Sequence, residues 1–191
     1  MAPAAGPPEP GSAQLPPWAT AAVRIVPYDP GWPGLARRFT TEIGRALGPW
    51  LLCPVEHVGS TAVPGLAAKP VIDLMALVAA KDHTAAAAGP VLAGLGWRHV
   101  PPDADDRPWR QFFVRVDGDG RHRLAHLHLM SAGAERWEQQ LRFRDALRTD
   151  AALRDEYAGL KTRLAAEFGP DRERYTRAKA EFIRRILPTL S

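Results

Sequence analysis

Two places in this 191-residue chain carry residue types at spacings that could do chemistry. The first is the run 57–78, which reads His-Val-Gly-Ser-Thr-Ala-Val-Pro-Gly-Leu-Ala-Ala-Lys-Pro-Val-Ile-Asp-Leu-Met-Ala-Leu-Val. A short apolar strand over 55–58 leads into a turn of small residues, Gly59-Ser60-Thr61. That turn offers backbone N–H groups and two hydroxyls, with Lys69 a little further on. A second apolar strand, 71–78, carries a single carboxylate, Asp73, near its start. Backbone donors, a cation and a carboxylate at one strand end suit a phosphate group and, beside it, a metal ion. The second place is His126-Leu-His128. On a strand, alternation puts both imidazoles on one face and Leu127 on the other.

Each of these residues also has a plainer reading. Ser60 and Thr61 either bond a phosphate or cap the turn. Gly59 either lets the backbone approach a ligand closely or relieves turn strain. Lys69 either reaches a phosphate as a point charge or is solvated. The histidines either hold a metal or simply hydrogen-bond to Asp73 or to backbone.

The scaffold follows from periodicity. Leu35, Phe39, Ile43 and Leu47 recur every four residues and predict an amphipathic helix ended by Gly48-Pro49. Asp82 is a candidate N-cap for a helix over 84–95, kinked or split at Gly89-Pro90 and closed by Gly96. Strands are expected over 97–100, 110–116 and 121–130, the last two joined by the hairpin signal Asp117-Gly-Asp-Gly120. The segment 101–108 reads as an acidic loop with Asp103, Asp105 and Asp106 solvated. Trp97, Trp109, Trp137, Phe112 and Phe113 read as core. From residue 134 the pattern is helical. Trp137, Leu141, Phe143 and Leu147 mark one helix. Leu153, Tyr157, Leu160 and Leu164 mark a second, capped by Thr149 or Asp150. Tyr175, Lys179, Phe182 and Ile186 mark a third. This order implies an α+β fold with a mixed or antiparallel sheet flanked by helices and a C-terminal helical segment.

Domain limits come from composition. Residues 1–22 read as a disordered Ala/Pro-rich extension, where Pro7, Pro8, Pro10, Pro16 and Pro17 exclude regular helix. Residues 23–191 read as one domain, opening with an extended segment at Val23 to Val26. No apolar run approaches the roughly 18 residues of a membrane span, and the N-terminal stretch does not resemble a secretory signal. A cytoplasmic location is expected. The formal net charge of +4 favours anionic ligands. The single cysteine, Cys53, excludes an internal disulfide framework.

The segment from His57 to Asp73 closely resembles the signature of the GrpB family. Three further stretches match in the same order: His126-Leu-His128; Phe143-Arg-Asp-Ala-Leu-Arg148 with Tyr157 and Leu160-Lys161 behind it; and Tyr175 with Lys179 and Phe182. The resemblance spans about 23–187. It implies a branch of the nucleotidyltransferase superfamily, with related domains attached to dephospho-CoA kinases.

In superfamily members that transfer nucleotides, a Gly-Ser loop holds a triphosphate and two carboxylates at i, i+2 bind magnesium. The resemblance therefore assigns phosphate or nucleotide binding to Gly59, Ser60 and Thr61, with Lys69, Arg144, Tyr175 and Lys179 as further candidates. It assigns the catalytic and metal-binding role to Asp73. The second carboxylate position is Met75, a poor ligand for magnesium, which departs from two-metal transfer. Asp73 with His126 and His128, and His57 as a further candidate, would make a set for magnesium, manganese, zinc or iron, its nitrogens favouring the last three. Two functions are carried forward. One is a nucleotidyltransferase-like protein that binds a nucleotide or another phosphorylated small molecule and transfers a nucleotidyl or phosphoryl group. The other is a catalytically silent regulatory module for a partner such as dephospho-CoA kinase. A weaker third reading is RNA binding through the basic helices. Tyr175 would stack on a base in the first case and sit in the core in the blander one. Arg144 would hold a phosphate or make structural ion pairs.

Overall fold

The computed structural model describes residues 16–20, 24–168 and 171–189. In chain order the elements are α1 (Pro17–Thr20), α2 (Trp32–Leu47), β1 (Glu56–Val58), β2 (Ile72–Val78), α3 (Lys81–Gly94), β3 (Trp97–Val100), α4 (Pro102–Asp105), β4 (Gln111–Val116), β5 (Arg123–Ser131), α5 (Glu135–Thr149), α6 (Ala151–Phe168) and α7 (Arg172–Ile186). The five strands form one sheet in the order β1-β2-β5-β4-β3. All neighbours are antiparallel except β2 and β5, which run parallel. The fold is therefore α+β with a mixed sheet, as the element order implied.

Strand alternation sorts the residues of the two central strands. Ile72, Leu74, Ala76 and Val78 of β2 and Ala125, Leu127 and Leu129 of β5 enter the main core with Trp97 and Phe113. Helices α2 and α3 cover that face with Trp32, Ala36, Phe39, Ile43 and Leu47, and with Ala85, Ala88 and Leu92. The opposite parity, Asp73 and Met75 with His126, His128 and Met130, faces the other way. The apolar members of that face pack in a smaller cluster with Val58 and Trp137. A third cluster joins Phe143 and Leu147 of α5, Tyr157 of α6 and Phe182 of α7 to Val63 and Leu66, which lie between β1 and β2. The C-terminal helices are thus seated on the segment that follows the glycine turn.

Several elements differ from the sequence reading. Asp82 does not cap α3: the helix starts at Lys81 with Ala80 as its cap residue and no side-chain cap. Asp82 instead pairs with Lys81 and accepts from Gln111. Pro90 lies inside α3, which runs unbroken through it. The acidic segment holds the short helix α4, and Asp105 is buried rather than solvated because Arg107 and Arg110 satisfy its oxygens. Residues 17–20 form a helical turn despite Pro17, which takes a starting position where its missing N–H costs little. Trp18 on that turn packs against Phe112 and Val114. Val26 makes one bridge, to Ala68. Val23, most of the Ala/Pro-rich extension and the 169–170 break lie outside the described residues. Among the described residues no helix is long and apolar enough to cross a membrane.

Candidate functional site

Asp73 and the two histidines meet because β2 and β5 are parallel and in register: Asp73 pairs with His126 and Met75 with His128. His126 Nδ1 donates to Asp73 Oδ1 at 2.7 Å, and His128 Nε2 stands 3.7 Å from the same oxygen. The Asp73 side chain keeps 31% of its surface exposed, against 13% and 15% for the histidines, so the carboxylate is the most accessible member of the set. Met75, the second carboxylate position of the superfamily pattern, is 1% exposed and packs with Val58, Met130 and Trp137. The centre has one carboxylate.

Arginines complete the network. The guanidinium of Arg110 bonds His128 Nδ1. A guanidinium only donates, so Nδ1 accepts and the proton of the neutral ring sits on Nε2, facing Asp73. Arg123 Nη1 lies 3.4 Å from His126 Nε2, the nitrogen left without a proton once Nδ1 donates to Asp73. Arg110 is fixed in turn by two bonds to Asp105, from Nε at 2.8 Å and Nη2 at 2.6 Å. Trp109 stacks on the His128 ring at 5.9 Å and 12°. It also packs against the Val58, Met75, Met130 and Trp137 cluster, so it is part of the core as the sequence implied and a wall of the site as well.

Charge states follow. Burial pushes His126 down to about 3, outweighing the bond to Asp73. Burial and the Arg110 charge push His128 down to about 4. Burial works against ionised Asp73, but the bonds from both histidines outweigh it and hold the carboxyl well below its usual range. Near neutrality the centre is one carboxylate between two neutral imidazoles.

The residues suit a divalent cation in type and spacing. One carboxylate oxygen and two ring nitrogens lie within 4.8 Å of one another. A set with two nitrogens suits zinc or manganese better than magnesium. Loading would require His128 to give up its Nε2 proton and Arg110 to release Nδ1, so cation and guanidinium compete for the same imidazole.

The glycine turn abuts the carboxylate. Gly59 has φ +71°, and a Cβ there would lie 2.6 Å from Asp73 Oδ2. Only glycine allows both this conformation and this approach. Ser60 begins the next turn of chain, near Tyr157, whose hydroxyl is pushed above its usual value mainly by burial.

The remaining candidates divide. Thr61 is 1% exposed and its hydroxyl is committed to His57 Nε2 at 3.0 Å and the Val71 carbonyl at 3.3 Å. His57 does not join the Asp73 set. It pairs across the sheet with Leu74, while Val58 pairs with Asp73, so strand parity turns it away. Burial lowers His57 to about 4. Arg144 is engaged structurally, donating to Glu56 Oε2 at 2.6 Å, the His57 carbonyl at 3.1 Å and Asp145. Tyr175 is 3% exposed in a cluster with Leu164, so it does not stack on a ligand. Lys179 stands over the Tyr175 ring at 4.5 Å and is half-buried. Lys69 is half-buried just before β2.

Sequence reasoning placed no site role on Arg110 or Trp109 and left Lys161 only among the basic helical residues. Lys161 is 2% exposed, donates to the Ala67 carbonyl and stands 4.9 Å from the Tyr157 ring. Burial, helped by Lys179, lowers it to about 7. Its signal was visible: it lies four residues after Tyr157, on the apolar stripe of α6, where a lysine is out of place.

A parallel β2–β5 pair, an aspartate under two histidines and a glycine turn pressed on the carboxylate define an α+β domain with a single-carboxylate polar centre. The chain belongs to the GrpB family, whose model, described as GrpB protein, matches residues 22–189. It is 40% identical over 184 residues to a UPF0157 protein of Pseudomonas aeruginosa, covering 89% of this chain and 69% of that one. The structure is similar to the crystal structure of conserved protein GrpB from Enterococcus faecalis, with TM-score 0.76, 25% identity, and 87% and 96% of the two chains covered. A dephospho-CoA kinase of Mycobacterium bovis is 31% identical over 181 residues, a match to 84% of this chain and 44% of the kinase.

Two outcomes are expected. Gly59→Ala destabilises the fold by about 1–3 kcal/mol, because it adds backbone strain and pushes Asp73 aside; denaturant unfolding measures it. Stability also falls as pH drops from about 6.5 to about 4. The folded histidines bind protons more weakly than the unfolded chain, so their contribution is present above the unfolded value and lost as pH falls through the folded one. Each contributes a slope of up to about 1.4 kcal/mol per pH unit. Urea unfolding at pH 7 and pH 5 reads the slope, which flattens in His126→Gln.

Proposed function

We propose that this protein is a nucleotidyltransferase-like binder of a nucleotide or another phosphorylated small molecule, held where the Gly59–Ser60 turn meets Asp73. The observation that carries this reading is the approach of that turn to a partly exposed carboxylate, closer than any side chain on residue 59 would permit. Ser60 offers a hydroxyl, and Lys161 reaches the same connection at the Ala67 carbonyl with the Lys179 charge near it. A buried lysine near its titration point gains a proton readily when an anion arrives. Asp73, His126 and His128 would hold a divalent cation, which when bound would neutralise phosphate charge. Without it, the histidines keep Asp73 ionised and oriented. If a nucleotidyl or phosphoryl group is transferred, the role of ionised Asp73 is to hold the cation and orient the attacking group beside the turn. Thr61, Arg144 and Tyr175 serve the fold rather than the ligand.

A second reading is favoured by the match to 44% of a mycobacterial dephospho-CoA kinase: the domain assists such a kinase without turnover of its own.

Calorimetric titration with nucleoside triphosphates, dephospho-CoA and CoA, with and without manganese or zinc, checks both. Saturable binding that weakens about tenfold or more in Asp73→Asn is the expected result. No heat with any of these in a folded sample overturns the first reading. A change in the rate of added dephospho-CoA kinase, with no binding by the isolated protein, supports the second.

A further inference from the structure

A cluster of guanidinium groups lies on the β4 side of Asp73, across the centre from the glycine turn. Arg107 and Arg110 flank Trp109 in sequence, and Arg136 reaches the same indole from the first turn of α5. The Arg110 guanidinium lies 4.9 Å from the Trp109 ring centroid and that of Arg136 5.8 Å. Asp105 answers two of the three charges. It takes Arg110 at 2.6 Å and Arg107 at 3.3 Å, so both its oxygens are used. Arg136 has no ion pair among the described residues. Its Nη1 donates to Gln139 at 3.3 Å, while its Nε is buried without a hydrogen-bond partner. Burial and the charges of Arg110 and Arg107 all weigh against its protonated form, and Glu135 opposes them only in part. A buried donor with no acceptor is destabilising, and three close cations add repulsion. Arg107, Trp109 and Arg136 are half-buried, so solvent-borne ligands reach them.

We propose that Arg107 and Arg136, close to Trp109 and with the charge of the Asp105-bound Arg110 beside them, form a second oxyanion subsite that takes a phosphate-type group. An oxyanion there offsets the surplus positive charge and gives Arg136 the ion pair that it lacks among the described residues. A planar guanidinium pairs with two oxygens of such a group at once. The subsite stands independently of the glycine turn. Where both are used, the ligand carries separated anionic groups and lies across Asp73.

The test is titration of the intact protein with inorganic phosphate, read by calorimetry and by Trp fluorescence, with acetate as the carboxylate arm. Wild type and Ser60→Ala are expected to bind phosphate alike. Arg136→Gln, checked for folding by thermal unfolding, is expected to bind it about tenfold or more weakly. Arg107→Gln, at a more open position, serves if Arg136→Gln does not fold. Equal affinity in the arginine variants, or no phosphate binding by wild type, overturns the proposal, as does acetate binding tighter than phosphate. Loss in Ser60→Ala with retention in Arg136→Gln places the phosphate at the turn and also overturns it. Failure of nucleotide binding with phosphate binding intact removes the glycine-turn reading and leaves this one standing.

Discussion

The centre depends on one constraint, the register of two parallel strands. Asp73 lies opposite His126, so the aspartate can accept from the imidazole beside it. A slip of one residue would exchange Asp73 for Ile72 or Leu74 and send every polar group into the main core. The apolar face prevents that. Leu74, Ala76, Leu127 and Leu129 are fully buried under α2 and α3, and their burial fixes the register that the polar residues use. The hydrophobic half of each strand therefore positions the chemical half.

Much of this was legible in the chain. The four-residue spacing of Leu35, Phe39, Ile43 and Leu47 gave α2, and Gly96 marked the end of α3 with φ +83°. Asp150 caps α6, accepting from the Leu153 N–H at 2.9 Å. Asp73, His126 and His128 were grouped from strand parity and a family resemblance, and they lie within ligand distance. What stayed hidden was through-space. Nothing in the sequence pairs Arg110 with His128, since Arg110 precedes β4, His128 lies on β5 and the pairing depends on Asp105 leaving solvent. An acidic loop reads as solvated until its cationic partners are known. His57 misled because it belongs to the same motif as Asp73, yet parity points it elsewhere.

The C-terminal helices show how a charged side chain can join two layers. Lys161 passes from α6 to the Ala67 carbonyl while Tyr157 packs in one cluster with Val63 and Leu66. Both contacts land on the connection between β1 and β2. The helical layer thus holds the turn against the sheet, and the apolar contacts of Val63 and Leu66 support the same seat. Arg144 and Arg148 add to it through the His57 and Ala62 carbonyls. These cations are spent on backbone oxygens that would otherwise lose their hydrogen bonds.

Arg123 touches two things at once. Its Nε donates to the Trp18 carbonyl at 3.2 Å and its guanidinium lies 4.6 Å over the Trp18 ring, while Nη1 reaches His126 Nε2. One guanidinium thus joins residues 16–20 to the imidazole pair, so the helical turn at Trp18 is tied to the strand that carries His126 rather than packed on it by apolar contact alone.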